Sequence, residues 1–245
     1  MKALIINSGI NTRMNVMTTC YPKCLMEVNA ADTVLSRQLR LICEAGIEEV
    51  VMTTGYYDRI LEEYCKNLRL PLRFTFVKNP VYDCTNNIYS IYLARKYLDD
   101  DILFMHGDLV FERTVFENVV SSNCSCMTVS SVSSLPDKGL KVVVENERII
   151  KIGTGYFVNA YAAQPLYKIL KKQWKKWLDG IIEFCESGKT ECYAEKAFNK
   201  LSDICYIMTL DIGNRLCSGF DNPEELYDVS SKLYEIENSR QIKEA

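Results

Sequence analysis

The stretch ALIINSGINTR (residues 3–13) decides the fold class, because it joins an apolar run to a polar loop that contains a glycine. Residues 3–6 are short and apolar, as in a buried β-strand, and residues 7–13 form the loop at its carboxyl end. Such a loop can turn backbone N–H groups around an anion where Gly9 or Asn11 adopts positive φ. Arg13 can add a bidentate contact to the same anion. Taken alone, the stretch fits an ordinary strand-to-helix turn equally well.

Apolar strands alternate with amphipathic helices through the first 110 residues. The pattern predicts further strands at residues 49–53, 72–77 and 102–106, and helices at residues 33–45, 58–68 and 87–97. This alternation is typical of a parallel sheet wrapped by helices, in which ligands bind beyond the carboxyl ends of the strands. We therefore expect an α/β fold with a doubly wound, mostly parallel, Rossmann-like sheet.

The second half of the chain follows a different pattern. Asn146 and Glu147 separate two short apolar runs and predict a β-hairpin. We expect strands at residues 126–132, 141–144, 149–152 and 205–210, and helices at residues 165–178, 194–201 and from Pro223 onward. Because no linker or internal repeat interrupts the chain, these elements predict a small β/α insertion within one domain, residues 1–245.

Composition excludes several classes of protein. The chain has 245 residues and a formal net charge of −3, so it lacks the broad basic surface of a nucleic-acid binder. Its eleven cysteines contain no CxxC pair and it has one histidine, which argues for reduced, mostly buried thiols and against a zinc site. The amino-terminal sequence is neither a signal peptide nor a membrane span. We expect a cytoplasmic protein with no stable membrane association.

A few charged residues are candidates for contacts to phosphate groups or to a metal ion. Lys23 offers a point charge for an oxygen atom that gains negative charge. Asp108 follows a strand, where a carboxylate can point into the ligand crevice and hold Mg²⁺ against phosphates, although a lone aspartate there more often caps a helix or turn. Asp211 also ends a predicted strand, so its carboxylate is a further candidate metal ligand.

These segments resemble the signature of one enzyme superfamily. The first loop and PKCL (residues 22–25) resemble GxGxR…PKxL of the sugar-nucleotide and choline-phosphate nucleotidyltransferases, with Asn11 in place of the second glycine. FDNPEEL (residues 220–226) resembles the segment that supplies the second metal-binding aspartate of that superfamily, which favours Asp221 over Asp211 as the second metal ligand. TNNIYSIYLAR (residues 85–95) resembles NNIxSLxLAR of bacterial choline-phosphate and 2-aminoethylphosphonate cytidylyltransferases. The resemblance is clear over residues 1–110, and beyond them it is limited to short, separate segments.

The resemblance implies an Mg²⁺-dependent enzyme that transfers CMP from CTP to a small phosphorylated or phosphonylated acceptor. Residues 1–122 would be the nucleotide-binding half and residues 123–245 the acceptor-binding half. Asp108 and Asp221 would hold the metal, while Arg13 and Lys23 would neutralise charge during transfer. The predicted nucleotide contacts are Asn7, Ser8, Gly9, Asn11, Thr54, Thr85, Asn87 and Ser90. We expect no general base, and no histidine or cysteine near these motifs as a catalyst, because a phosphate oxygen is already ionised.

The second half supplies the candidate acceptor contacts. The stripe Leu170, Trp174, Trp177 and Ile181 has helical spacing, so we expect it in the core and not in an aromatic cage. Choline-specific relatives tend to place a tryptophan where this chain has DKGLK (residues 137–141), which favours a primary amine over a trimethylammonium group. We therefore rank 2-aminoethylphosphonate and phosphoethanolamine slightly ahead of phosphocholine. The predicted acceptor contacts are Lys141, Tyr156, Tyr193 and Glu195.

Two other functions stay open at this point. One is a sugar-1-phosphate nucleotidyltransferase, and the other is a regulatory nucleotide-binding module without activity, to which Asn11 is a hint. The joint presence of Arg13, Lys23, Asp108 and Asp221 argues against the second, because a binding module needs no metal pair. The sequence also leaves the oligomeric state open, a homodimer included.

Overall fold

The computed structural model describes residues 1–9 and 21–244. Asn11 and Arg13, both predicted at the site, lie outside these residues. The first half contains β1 (Lys2–Asn7), α1 (Val34–Glu44), β2 (Glu49–Thr54), α2 (Asp58–Asn67), β3 (Arg73–Lys78), α3 (Asn87–Ala94) and β4 (Ile102–His106). These bounds confirm the elements predicted there, except that the third helix ends in a 3-10 turn, Arg95–Tyr97.

The second half adds short strands and four helices to the described part of the chain. They are β5 (Val110–Phe111), α4 (Arg113–Ser121), β6 (Cys126–Ser130), β7 (Lys141–Glu145), β8 (Arg148–Gly153), β9 (Ala160–Ile169), α5 (Lys171–Glu186), α6 (Glu195–Leu201), β10 (Met208–Asp211), β11 (Cys217–Ser218) and α7 (Pro223–Glu244). The predicted hairpin is confirmed, since β7 pairs with β8 and both Asn146 and Glu147 have positive φ. Helix α4 was not predicted.

One nine-stranded sheet runs through the described residues, in the order β3-β2-β1-β4-β9-β6-β10-β8-β7. Strands β1 to β4 are parallel to one another, and β9 is antiparallel to both β4 and β6. Strand β10 is parallel to β6 and antiparallel to β8. The predicted Rossmann-like α/β fold is confirmed, with a mixed antiparallel extension in its second half.

Helices cover both faces of the sheet. Leu39 of α1, Leu61 of α2 and Phe116 of α4 belong to one buried cluster. Ile88 of α3 and Trp177 of α5 belong to the other. Trp174, Trp177 and Ile181 of the predicted stripe are therefore core, as expected of an amphipathic helix against a sheet, whereas Leu170 precedes the helix and is partly exposed.

The predicted helix at residues 165–178 is wrong in its first part. Residues up to Ile169 belong to β9, which is inserted between β4 and β6, and the helix begins only at Lys171. Pro165 pointed to a helix start, because proline is favoured in the first helical turn. In the folded chain it lies where the register of β6 and β9 shifts between Met127 and Val129, so its missing N–H falls at a bulge.

A small second sheet brings together two segments that are distant in sequence. Strand β11 pairs antiparallel with β5, Cys217 opposite Phe111 and Ser218 opposite Val110. In an antiparallel pair, the residues before one strand lie beside the residues after the other. Asp108 precedes β5 and Asp221 follows β11, so this pairing places both aspartates at one end of the small sheet.

Candidate active site

A cleft opens at the carboxyl ends of β1 and β4, where an open parallel sheet binds its ligands. It consists of two adjoining cavities, the first of about 450 Å³ and the second of about 940 Å³. His106, Asp108, Tyr193 and Asp221 line both cavities and mark the boundary between them. A molecule in the first cavity would therefore meet a molecule in the second beside the two aspartates.

Lys23 lies at this boundary and is only 6% exposed. Its Nζ donates hydrogen bonds to Asp221 Oδ1 at 2.7 Å and to the Phe220 carbonyl oxygen at 2.8 Å. The same nitrogen lies 3.7 Å from Asp108 Oδ2. A buried ammonium needs such compensation, and these contacts give the predicted catalytic lysine a fixed orientation between the aspartates.

Asp108 and Asp221 can hold a divalent metal ion if a ligand supplies further oxygen atoms. Their side chains are 34% and 45% exposed to the cleft. Over residues 1–9 and 21–244, no group of three or more acidic, histidine or cysteine side chains could hold a metal ion by itself. Mg²⁺ is commonly bound through one or two carboxylates, with phosphates and waters completing its shell. The donor set fits Mg²⁺ that is bound together with a phosphorylated ligand.

Asp211, the competing candidate, lies outside both cavities at the end of β10. Its Oδ1 accepts hydrogen bonds from the N–H groups of Gly213 at 2.9 Å and Ser131 at 3.3 Å, and its Oδ2 accepts one from the Ser131 hydroxyl. Partial burial raises the pKa of Asp211, but these hydrogen bonds outweigh it and hold the pKa below its ordinary value. Asp211 therefore stabilises a turn, and Asp221 is the aspartate that lies near Asp108.

The chain after β1 packs tightly against its neighbours at the edge of the first cavity. A Cβ at Gly107 would lie 1.7 Å from Asn7 Oδ1, and a Cβ at Gly55 would lie 2.4 Å from the Ser8 carbonyl oxygen. Only glycine at these two positions therefore allows Asn7 and Ser8 to pack so closely against the neighbouring chain. Among the described residues, Asn7 Nδ2 and Ser8 Oγ are buried without a hydrogen-bond partner, and both residues line the cavity together with Gly9. Such groups can serve as ligand contacts.

Asn79 organises the opposite wall of the first cavity. Its Nδ2 donates to Thr85 Oγ1 at 2.9 Å and to Ser90 Oγ at 3.1 Å, and the Thr85 hydroxyl donates to the Val81 carbonyl oxygen at 2.7 Å. The network orients two predicted nucleotide contacts, Thr85 and Ser90. Asn79 was not predicted, although it directly follows β3 much as Asp108 follows β4.

Asn87 connects three elements around the cleft. The Asn86 side chain caps α3 by accepting a hydrogen bond from the Asn87 N–H at 2.7 Å. Asn87 Oδ1 accepts a hydrogen bond from the Ala194 N–H at 2.8 Å, and its Nδ2 lies 3.4 Å from His106 Nε2. Asn87 lines the first cavity and also fixes Tyr193, the residue before Ala194.

Thr54 and Cys24 belong to the surroundings of the first cavity, and neither is placed as a direct contact to a ligand. Thr54, a predicted nucleotide contact, is fully buried and lines neither cavity, but its carbonyl oxygen accepts a hydrogen bond from the Asn79 N–H at 2.8 Å. Cys24 lines the first cavity. Burial, with Cys65 and Asp108 nearby, raises the pKa of the Cys24 thiol well above its usual value, so it stays protonated at neutral pH.

No catalytic role was predicted for His106, which lies beside Asp108 and Asp221 where the two cavities meet. It ends β4 two residues before Asp108 and lines both cavities at their boundary. The sequence HGD (residues 106–108) already placed this histidine next to the site, but we assigned a role there only to the aspartate. Its contact with Asn87 requires Nε2 to accept if the amide donates, which leaves Nδ1–H as the donor of the neutral ring.

Two predicted acceptor contacts are buried in the protein itself. Lys141 is 0% exposed, and its Nζ donates to the carbonyl oxygens of Asp137, Gly139 and Thr154 at 3.3, 3.2 and 2.7 Å. An ammonium has three donors, so Lys141 shapes the loop that borders the second cavity and has none left for a ligand. Glu195 is 1% exposed, lines neither cavity and accepts a hydrogen bond from the Tyr167 hydroxyl at 2.9 Å.

The two predicted tyrosines have different surroundings. Tyr193 lines both cavities and is partly exposed, in agreement with an acceptor-side position. Tyr156 lines neither cavity, and its ring lies 3.1 Å from where a Cβ of Gly153 would be. Tyr193 is therefore the only one of the four predicted acceptor contacts that reaches the cleft in the described residues.

Comparisons with known proteins bear on this site. The chain matches the family described as "Domain of unknown function (DUF6564)" over residues 19–156. It is 27% identical over 149 residues to the CMP-5'-(3-aminopropyl)phosphonate synthase of Streptomyces rubellomurinus, a match that covers 61% of this chain and 24% of that protein. It is 22% identical to the CTP:phosphoglutamine cytidylyltransferase of Campylobacter jejuni, over 86% of this chain and 88% of the relative.

A solved structure shares the fold along nearly the whole chain. The inositol-1-phosphate CTP transferase from T. maritima superposes with a TM-score of 0.74 at 22% identity, covering 96% of each chain. The resemblance to cytidylyltransferases is thus confirmed by sequence relatives and the nucleotidyltransferase fold by structure. Within the described residues, none of the helices has the length and apolar character needed to cross a membrane.

Proposed function

The chain belongs to the DUF6564 family, and we propose that it transfers CMP from CTP to a small phosphorylated or phosphonylated acceptor and releases pyrophosphate. The observation that carries the proposal is the boundary between the two cavities, where Lys23 contacts both Asp108 and Asp221. Nucleotidyl transfer needs two substrates that meet at a point where negative charge is neutralised, and this boundary has that form.

The first cavity suits the nucleotide. It is lined by amide and hydroxyl side chains, among them Asn7, Ser8, Thr85 and Ser90, which can form hydrogen bonds with a base, a ribose or a phosphate. The names of both sequence relatives contain a cytidine nucleotide, CMP in one and CTP in the other. These names support CTP as the donor, in agreement with the resemblance of residues 85–95.

The reaction would proceed by direct attack of an acceptor oxygen on the α-phosphorus of CTP. A new P–O bond forms as the bond to pyrophosphate breaks, and no proton has to be removed because a phosphate or phosphonate oxygen is already ionised. Lys23 would hold its ammonium against the charged oxygens, with Arg13 as a second cation. Mg²⁺ held by Asp108 and Asp221 would supply further positive charge when bound.

The second cavity suits an acceptor that carries an amine. Away from the boundary, Asp137, Glu225 and Asp228 line it, with Lys138 and Lys232 as its basic residues. The acidic excess favours a cationic group on the acceptor, and the Streptomyces relative is named for an aminopropylphosphonate. An amino-phosphonate or amino-phosphate is therefore the proposed acceptor.

Pyrophosphate release, measured with CTP, UTP, ATP and dTTP against a panel of acceptors, tests the proposal. The panel contains 2-aminoethylphosphonate, 3-aminopropylphosphonate, phosphoethanolamine, phosphocholine and glucose 1-phosphate. We expect CTP with an amino-phosphonate or amino-phosphate to give the highest kcat/KM. Equal or higher activity with UTP and glucose 1-phosphate would contradict it and support a sugar-activating enzyme.

A further inference from the structure

A third cavity adjoins the second on the side away from the nucleotide. It has a volume of about 490 Å³ and lies between β6, β9, the loop after β10 and α7. Pro136, Gln164, Ser218 and Lys232 line both the second and the third cavity. The cleft therefore continues past the acceptor cavity, and Gln164 and Lys232 stand where the two join.

The electrostatic character of the cleft changes at this junction. The second cavity has an excess of carboxylates, whereas the third is lined by Arg215, Lys232 and one acidic residue, Glu235. Two guanidinium nitrogens of Arg215 donate to the carbonyl oxygens of Ile212 and Asp211, which fixes that side chain beside the cavity. A ligand that spans both cavities would be complementary if it carried a positive group in the second and a negative group at the junction.

Gln164 faces the junction because of the bulge in β9. Its carbonyl oxygen accepts a hydrogen bond from the Thr128 hydroxyl at 3.1 Å, opposite the register shift next to Pro165. Bulges of this kind redirect side chains and are common near active sites. Within the described residues the carboxamide of Gln164 has no hydrogen bond, so both its donor and its acceptor can face a ligand.

Helix α7 sets the distance between the metal-binding aspartates and the junction. Lys232 lies nine residues after Pro223, a rise of about 13–14 Å along the helix at 1.5 Å per residue. Side chains lean toward the amino terminus of a helix, so the lysine ammonium can reach back by roughly one helical turn. An acceptor phosphonate beside Asp221 and an anionic group beside Lys232 would thus be separated by several bonds.

We propose that the acceptor is zwitterionic at its far end: an amino acid head group whose ammonium lies in the acidic second cavity and whose carboxylate is bound at the junction by Lys232 and Gln164. The inference rests on the proposed function and names its substrate class. It distinguishes an amino acid that bears a phosphonate or phosphate from a simple aminoalkyl compound.

A matched pair of acceptors tests this inference. 2-Amino-4-phosphonobutanoate and 3-aminopropylphosphonate differ only in the carboxylate on the carbon that carries the amine. We expect kcat/KM to be at least about tenfold higher for the carboxylated compound, the effect of one charge-assisted hydrogen bond. 2-Amino-5-phosphonopentanoate, one methylene longer, measures the preferred separation of the two charged ends.

The Lys232→Met variant tests whether the preference for the carboxylated acceptor depends on Lys232. It should reduce the preference for the carboxylated acceptor to within about threefold, and Gln164→Leu should reduce it in part. Lys172→Met removes the same charge from an exposed position on α5 and should keep the full preference. The KM for CTP should not follow the preference, because Lys232 does not line the first cavity.

The outcomes separate this inference from the proposed function. Turnover of CTP with the aminoalkyl acceptor at an equal or higher kcat/KM would overturn the zwitterionic acceptor and leave the cytidylyltransferase intact. A preference that survives Lys232→Met would overturn it as well. Failure to release pyrophosphate from CTP with any acceptor would overturn the proposed function and, with it, the inference.

Discussion

The first two cavities of the cleft are built in different ways. In the first, Asn79, Thr85, Ser90 and Asn87 hydrogen-bond to one another or to the backbone, so its wall is fixed before a ligand arrives. The second draws its charged residues, apart from those at the shared boundary, from the 136–140 loop and from α7, and these side chains are exposed. If the proposed assignment of the cavities is right, the nucleotide side is preorganised for one chemistry, whereas the acceptor side can change specificity through substitutions that leave the fold intact.

The largest effect is expected at the boundary that the two cavities share. Lys23→Met removes a preorganised cation and should lower kcat by about 10²–10³-fold. The variant also leaves Asp108 and Asp221 without their buried partner, so its folding must be checked by circular dichroism and thermal denaturation. A folded Lys23→Met protein with near wild-type kcat would remove Lys23 from the mechanism.

Substitution of aspartates tests whether activity depends on the boundary between the cavities or also on aspartates elsewhere. Asp108→Asn and Asp221→Asn should each lower kcat/KM by at least about tenfold and raise the Mg²⁺ concentration needed for half-maximal activity, because each removes one charged ligand. Asp211→Asn is the matched control and should retain wild-type activity. The opposite result for Asp221 and Asp211 would show that the second ligand is assigned to the wrong residue.

The close packing of the first cavity predicts a smaller effect. A Cβ at Gly107 would overlap Asn7 Oδ1, so Gly107→Ala should displace the Asn7 side chain, destabilise the fold by about 1–3 kcal/mol and raise the KM for CTP. Urea denaturation and initial rates measure both. Gly155→Ala is the control, since a Cβ there has no heavy atom within 4 Å. Equal stability and KM in the two variants would contradict a tightly packed first cavity.

The smallest effect is expected at Asp211, which lines neither of these two cavities. Its folded pKa is lowered, so its contribution to stability is present above the unfolded pKa and is lost as the pH falls through the folded pKa. Because the side chain is largely exposed, Asp211→Asn should cost no more than about 1 kcal/mol at pH 7. The difference from wild type, measured by urea denaturation, should shrink below pH 4 or so. A constant difference from pH 7 to pH 3 would contradict the assignment.

The sequence predicted the parallel part of the fold well, because each apolar run there is bounded by a turn and followed by an amphipathic helix. Strand β9 could not be predicted in the same way. Its apolar residues continue almost directly into α5, and only its insertion between β4 and β6 makes them a strand. The proline at position 165 is tolerated there because it falls at a bulge.

Three of the predicted site residues come from separate segments and lie together in the structure, although only Asp108 follows a strand of the parallel sheet. Lys23, Asp108 and Asp221 meet as expected, whereas Lys141 and Glu195 are buried by contacts with residues that are distant in sequence or in the same loop. A charged residue is expected at the surface, so its burial depends on partners that a single sequence does not identify. The contribution of Arg13 stays a prediction.

The pairing of β5 with β11 has a consequence for biosynthesis. Asp108 leaves the ribosome well before Asp221, because every residue between the two is synthesised in the interval. A nascent chain can complete the first four parallel strands early, since their contacts are comparatively local, and still have an open and incomplete cleft. The cleft is therefore complete only after the segment that joins β11 to α7 has emerged. Ribosome-bound intermediates shorter than this should be folded in part but catalytically silent.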